Sequence, residues 1–222
     1  MLAASPLGIP APTVLLTGFD PFGGETVNPS WLAVQALHGR SVAGHRVIAA
    51  QLPTVFDAAP QRLQDLLRAH RPAVVICVGQ AGGRAALSLE RVAINLNDAR
   101  IPDNAGAQPI DTPTATGGPT AYFSTLPIKA MLLALQRRGV PAEVSQTAGT
   151  FVCNQVFYAL MHLLATQNEA KGMRGGFIHV PWLPGQGTPS MPLEDMVTGL
   201  RLSVRAALTT RQDLVHGAGQ IS

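Results

Sequence analysis

Residues 73–79, Ala-Val-Val-Ile-Cys-Val-Gly, contain no polar side chain apart from one thiol. A strand with one wet face alternates apolar and polar residues. A short continuous apolar run instead suits a strand buried on both faces, as found where helices cover both sides of a parallel sheet. Further strand-like runs at Thr13–Thr17, Arg46–Gln51, Arg91–Leu96, Ala142–Ser145 and Gly176–Pro181 alternate with helical patterns. The helical patterns cover Pro29–Leu37, Val55–His70, Leu126–Arg138, Val152–Thr166 and Leu193–Thr209. This alternation predicts an α/β protein, a three-layer α/β/α sandwich with a mostly parallel central sheet. For the third helix, Ser124 or Thr125 is the expected cap, with Pro127 in the first turn and Gly139 at the stop.

The chain has 222 residues, enough for one sizeable core, and one α/β domain over residues 13–209 is expected. A flexible N-terminal extension (1–12) and a flexible C-terminal tail (210–222) would flank it. With 46% hydrophobic and 13% charged residues, a disordered chain is excluded. The net charge is +3, but the basic residues are scattered and no aromatic platform interleaves them, which argues against a nucleic-acid partner. The segment Met1–Pro12 has no basic n-region and is broken by prolines, so neither a signal peptide nor a membrane anchor is expected. Two cysteines without an export signal point to a reducing cytoplasm.

Those cysteines differ in setting. Cys77 lies inside the apolar strand, where core packing is the expected role. Cys153 lies in Ser-Gln-Thr-Ala-Gly-Thr-Phe-Val-Cys-Asn, residues 145–154, which reads as a strand, a small-residue turn and a helix start. Free N–H groups and the positive dipole end at a helix start favour a thiolate, so a lowered Cys153 pKa is expected.

A cysteine nucleophile needs a base, and the base needs an orienting group. Of the six histidines, His38, His45, His70 and His216 fall at helix ends or in polar turns. His162 follows Cys153 by nine residues on one helix, about 13.5 Å along the axis, too far for its ring to meet the thiol. His179 closes an apolar strand and would share an edge with the Cys153 turn. The segment Ser88–Asn95 alternates, placing Glu90 with Val92 and Ile94 on an apolar face, where a carboxylate needs a partner such as histidine. Asp98 and Asp103 are rival carboxylates. Long irregular segments after the first strand (18–30) and after residue 96 are candidates to build a site at the carboxyl edge of the sheet.

Four blocks, VLLTGFDPFGGETVNPSW, VICVGQAGGRAALSLERVAINLNDARIPDN, SQTAGTFVCNQVFYALMH and GGFIHVPWLP, occur between about Thr13 and Leu208. Through them the chain strongly resembles the pyroglutamyl-peptidase I family of cysteine peptidases. The resemblance implies Cys153 as nucleophile, His179 as general base and Glu90 as third catalytic member. It implies removal of an N-terminal pyroglutamyl (5-oxoprolyl) residue from peptides through a thioester, an α/β/α fold, a homotetramer, and no metal or organic cofactor. Arg100 is a candidate to stabilise the oxyanion. Phe19 and Phe22, placed in the first loop, are candidates to sandwich the flat lactam, and Gln80 to hydrogen-bond it. Two rival readings remain open: a related cysteine-dependent amidase or thioesterase with another acyl group, and a non-catalytic binding protein on the same fold. The segment Gly185–Pro192 is short, and the carboxyl tail carries no family signature.

Overall fold

A computed structural model describes residues 11–219. Among the described residues, nine strands are β1 (Thr13–Phe19), β2 (Ser41–Val42), β3 (His45–Leu52), β4 (Val74–Gln80), β5 (Leu87–Glu90), β6 (Val92–Ile94), β7 (Ala121–Phe123), β8 (Ala142–Ser145) and β9 (Arg174–Val180). Five α-helices are α1 (Pro29–Gln35), α2 (Ala58–His70), α3 (Ile128–Gln136), α4 (Val152–Thr166) and α5 (Leu193–Thr209). Seven strands form one sheet in the order β2-β3-β1-β4-β9-β5-β8, and β6 pairs with β7 in a separate ribbon.

The central strands β3, β1, β4 and β9 are parallel, whereas β5 runs antiparallel to β9 and parallel to β8. Alternate residues of the central strands feed two cores. Val14, Leu16, Val74, Ile76, Val78, Ile178 and Val180 join the core under α1, α3 and α5. Leu15, Phe19, Val75, Cys77 and Phe177 join the core under α2 and α4. Both faces are therefore covered, which accounts for the continuous apolar run at 73–79.

Helices α4 and α5 have the expected bounds. Two other expectations are corrected. The sheet strand in the fourth segment is Leu87–Glu90, not Arg91–Leu96, and residues 92–94 leave the sheet for the ribbon with 121–123. The phase of burial also breaks at Arg91: Glu90 and Ala93 are buried, while Val92 and Ile94 are half-buried. The cap of α3 differs too. Pro127 is its N-cap residue without a side-chain bond, and the Asp213 carboxylate accepts from the Lys129 and Ala130 N–H groups at 3.1 and 3.0 Å. Ser124 Oγ instead accepts from Leu126 N.

Residues 1–10 of the expected extension and 220–222 of the expected tail lie outside the described residues. Among the described residues, no helix is long and apolar enough to cross a membrane, and no group of three or more His, Cys, Asp or Glu is placed to hold a metal ion.

Candidate active site

The strand alternation that buries Val75 and Cys77 under α4 also turns Gly79 to that face. In the parallel pairing of β4 and β9, Gly79 is the register partner of His179. Helix α4 begins above this point. Residues 146–151 double back from β8, and the Cys153 sulfur comes to rest over Gly79. A Cβ built on Gly79 would lie 2.7 Å from Cys153 Sγ and 2.9 Å from the Phe177 ring. Cys153, His179 and Gly79 thus gather at the carboxyl ends of the central strands, the position where sites form in such sheets.

On the other side of His179, β5 pairs antiparallel with β9, setting Ser88 opposite His179 and Glu90 opposite Phe177. Glu90 and Ser88 share the α4 face, and the Glu90 carboxylate reaches diagonally across. His179 Nδ1 lies 2.7 Å from Glu90 Oε1, with Glu90 fully buried and His179 nearly so. A carboxylate beside Nδ1 fixes the tautomer: Nδ1–H donates, and Nε2 is left as an acceptor. Phe177 flanks the imidazole, ring centroids 4.8 Å apart.

Glu90 has a second partner that the sequence reading did not select. Arg84, in the β4–β5 connection, donates through Nη1 to the same Oε1 at 2.6 Å and through Nη2 to the Thr147 carbonyl at 3.0 Å. Burying an unpaired carboxylate costs several kcal/mol, whereas each charge-assisted hydrogen bond returns about 1.5–3 kcal/mol. Burial alone would raise the Glu90 carboxyl. The His179 hydrogen bond and charge, the nearby Ser145 hydroxyl and the Arg84 charge outweigh it and hold Glu90 below the usual carboxylate range.

The thiol departs from expectation. Cys153 retains partial exposure, yet burial, followed by the Glu90 charge, pushes its thiol up to about 12, opposed by Arg84. The helix start does not yield a lowered pKa, because desolvation of a thiolate seated over Gly79 dominates. The control residue Cys77, inside β4, is also raised to about 12 by burial.

The other predicted residues are distributed around this centre. Phe19 is the last residue of β1, not a loop residue. It is buried and packs against Phe177, centroids 6.4 Å apart. Phe22 is half-buried in the first loop and faces Phe151, centroids 6.1 Å apart. Phe151, the N-cap residue of α4, also meets Phe56 edge-on at 5.3 Å. Phe151 stands two residues before Cys153 in the sequence. Gln80 ends β4, and its Oε1 is buried without a hydrogen-bond partner. Arg100 is exposed and lines a cavity of about 410 Å³ with Asp98, Ile101, Gly149, Thr150 and Phe151.

Neither rival carboxylate takes the place of Glu90. Asp103 Oδ2 accepts from Phe56 N, and its Oδ1 accepts from Ala105 N and Ala107 N. Asp98 is exposed, and its backbone exchanges bonds with Thr150. His162 lies 2.9 Å from the Tyr122 hydroxyl, away from the thiol as its spacing requires.

The loops are tied to one another. Asn28 caps α1 through Ser30 N and donates to the Asp20 carbonyl. The Asp20 carboxylate accepts from Thr54 N at 2.6 Å, and Asn104 Nδ2 donates to the Pro21 carbonyl at 2.8 Å. Asn154, fully buried beside Cys153, pins residues 94–96 to α4 with three hydrogen bonds. Its role was also missed, because its partners are backbone groups some sixty residues away.

Comparison with known proteins identifies the family and the fold. The family model for pyroglutamyl peptidase matches residues 12–210. A pyrrolidone-carboxylate peptidase of Cupriavidus taiwanensis is 60% identical over 215 residues, covering 95% of this chain and 99% of that protein. The one from Klebsiella pneumoniae is 56% identical, covering 93% and 97% respectively. A crystal structure of pyroglutamyl peptidase I from Bacillus amyloliquefaciens superimposes with a TM-score of 0.90 at 46% identity, covering 93% of this chain and all of that one. With a matching family model over nearly its whole length, relatives this similar and the same α/β fold, the chain belongs to the pyroglutamyl peptidase family.

Proposed function

We propose that this chain is a cysteine exopeptidase that removes an N-terminal pyroglutamyl residue from peptides, with Cys153 as nucleophile, His179 as general base and Glu90 as the group that orients it. The observation that carries this reading is the buried Glu90–His179 contact of 2.7 Å beside a sulfur seated over Gly79.

His179 Nε2 takes the thiol proton as Cys153 Sγ bonds to the pyroglutamyl carbonyl carbon. The tetrahedral intermediate collapses, the C–N bond breaks, and His179 returns the proton to the leaving amine. Water then attacks the thioester, giving its proton to His179, and the thiol is restored as free pyroglutamate leaves. Glu90 stabilises the imidazolium formed in each half-reaction.

The oxyanion needs donors already in place. Phe151 provides no side-chain cap to α4, so N–H groups of its first turn are candidates, with Arg100 as a second. Pyroglutamate has no α-ammonium, so its pocket should be neutral. Phe22 and Phe19 offer apolar surface for the ring, joined by Phe151, and the unpartnered Gln80 Oε1 is an acceptor suited to the lactam N–H. A pocket built to bond a lactam disfavours a ring lacking the carbonyl.

Release of a fluorescent arylamine from pyroglutamyl-, prolyl- and alanyl-arylamides tests the reading. Turnover of only the pyroglutamyl compound is expected. Equal turnover of the prolyl compound would point instead to a broader amidase.

Two further proposals accompany the activity. The free Cys77 and Cys153 thiols support a cytoplasmic location, which fractionation of cells would check. Homotetramer assembly rests on the family resemblance, and sedimentation velocity would check it.

A further inference from the structure

Glu90 makes both its contacts through one oxygen. Oε1 accepts from His179 Nδ1 at 2.7 Å and from Arg84 Nη1 at 2.6 Å, while Oε2 is buried with no hydrogen-bond partner. Apart from the nearby Ser145 hydroxyl, Arg84 is the group that holds the carboxylate from the side away from the imidazole. The same guanidinium reaches onward, donating to the Thr147 carbonyl at 3.0 Å and lying 3.4 Å from Ser145 Oγ. It therefore spans two elements: the end of β5, which carries the acid, and the turn that leads into the helix carrying Cys153.

Arg84 is itself held by packing. Ala81 N donates to the Val180 carbonyl at 2.9 Å, extending the β4–β9 pairing by one residue. Gly82 then lies flat on the Trp182 indole, where a Cβ would come within 2.2 Å of Cζ2. The connection is thus fixed to the strand that bears His179, two residues before Arg84 leaves it.

We propose that Arg84 is a positioning residue, its guanidinium holding Glu90 against His179 and tying that carboxylate to the Ser145–Thr147 turn ahead of the nucleophile helix. This rests on the reading of Cys153, His179 and Glu90 as the catalytic set. Arginine suits the task because its planar fork presents donors to two acceptors at once, whereas lysine offers a point charge on a flexible stem. The charged and titratable groups around Glu90 are His179 from β9, Cys153 from α4 and Arg84 from the β4–β5 connection. Glu143 on β8 is engaged by the Ser88 hydroxyl at 2.8 Å, and Arg91 by Gln146 at 2.9 Å.

The experiment measures kcat, KM and the pH profile of the full-length enzyme on a pyroglutamyl-arylamide. The variants are Arg84→Met, Arg84→Lys, Glu90→Gln and the Arg84→Met/Glu90→Gln pair, with thermal unfolding of each. Arg84→Met is expected to lower kcat roughly 10- to 100-fold with KM changed less than about threefold. Its pH profile of kcat/KM should change, because the imidazole loses both a neighbouring positive charge and the fixed hold of Glu90. Arg84→Lys should recover part of the loss. In the Glu90→Gln background, Arg84→Met should remove less than about threefold more, since the contact it serves is already gone.

Full kcat in Arg84→Met would overturn the proposal. So would equal losses in both backgrounds with an unmoved pH profile, which is the signature of a general structural effect. Should Arg84→Met fail to fold, Arg84→Lys carries the same comparison in both backgrounds. Full activity in Glu90→Gln and in His179→Ala would sink the underlying catalytic assignment instead, an outcome distinct from failure of the Arg84 proposal alone.

Discussion

The Cys153 sulfur occupies the space that a side chain on Gly79 would fill, with 2.7 Å between Sγ and the ideal Cβ position. Gly79 pairs in register with His179, so the glycine sets where the sulfur rests relative to the imidazole. Real Cβ atoms do not approach a sulfur that closely, and the same Cβ would also come within 2.9 Å of the Phe177 ring. Gly79→Ala should displace Cys153. A misplacement of order 1 Å at a reacting atom costs about 100-fold in rate, and a loss of that order in kcat is expected. Steady-state kinetics of a variant that still unfolds cooperatively would check it.

The two thiols should separate cleanly in function. Cys153→Ala is expected to lower kcat by at least about 1,000-fold, whereas Cys77→Ala should keep most of it, because Cys77 is fully buried inside β4. Iodoacetamide should label Cys153 first, and a competing lactam should slow the labelling. With the Cys153 thiol raised to about 12, the labelling rate should keep climbing through the alkaline range. A plateau by neutral pH would mean that a preformed thiolate exists after all.

Stability should depend on pH at both extremes, for opposite reasons. Cys77 has a folded pKa of about 12, raised from an ordinary value of 9.0. The unfolded chain therefore loses this proton first, and the stabilisation, fully present below pH 9.0, is lost as pH rises toward about 12. Cys77→Val should flatten the alkaline fall in urea-unfolding free energy. Glu90 is shifted the other way, below its usual range. Its contribution is present above the unfolded carboxylate pKa and is lost as pH falls through the lower folded value. Glu90→Gln should remove that part of the acid dependence.

Much of the architecture was legible in the sequence because it follows from local pattern. Helices α4 and α5 carry sustained apolar stripes and have the expected bounds. The run at 73–79 announced a strand covered on both sides, and the observed β4 is one. Where two elements abut with no turn signal between them, local pattern fails. Residues 88–95 read as one alternating segment, yet β5 ends at Glu90 and β6 starts at Val92 in another sheet. The cap that Asp213 gives α3 comes from more than eighty residues away and leaves no local trace.

The site divides in the same way. Cys153 and His179 have unusual local settings, a helix start and a strand end, whereas the face read for Glu90 with Val92 and Ile94 breaks at Arg91, and the family resemblance is what singles Glu90 out. Arg84 has no such setting, since its importance comes from Glu90 and Thr147 meeting around it in space. The direction of the thiol shift departs from expectation because the helix start is visible in sequence, while the burial of the sulfur over Gly79 is not.

The most direct test of the account is whether Cys153 becomes acylated. Excess enzyme mixed with a pyroglutamyl-arylamide, quenched in acid within a single turnover and mapped by mass spectrometry, should carry a pyroglutamyl thioester on the peptide containing Cys153. The Cys153→Ala enzyme should carry none and release no arylamine. A pyroglutamyl group found on another residue, or arylamine release undiminished in Cys153→Ala, would contradict it.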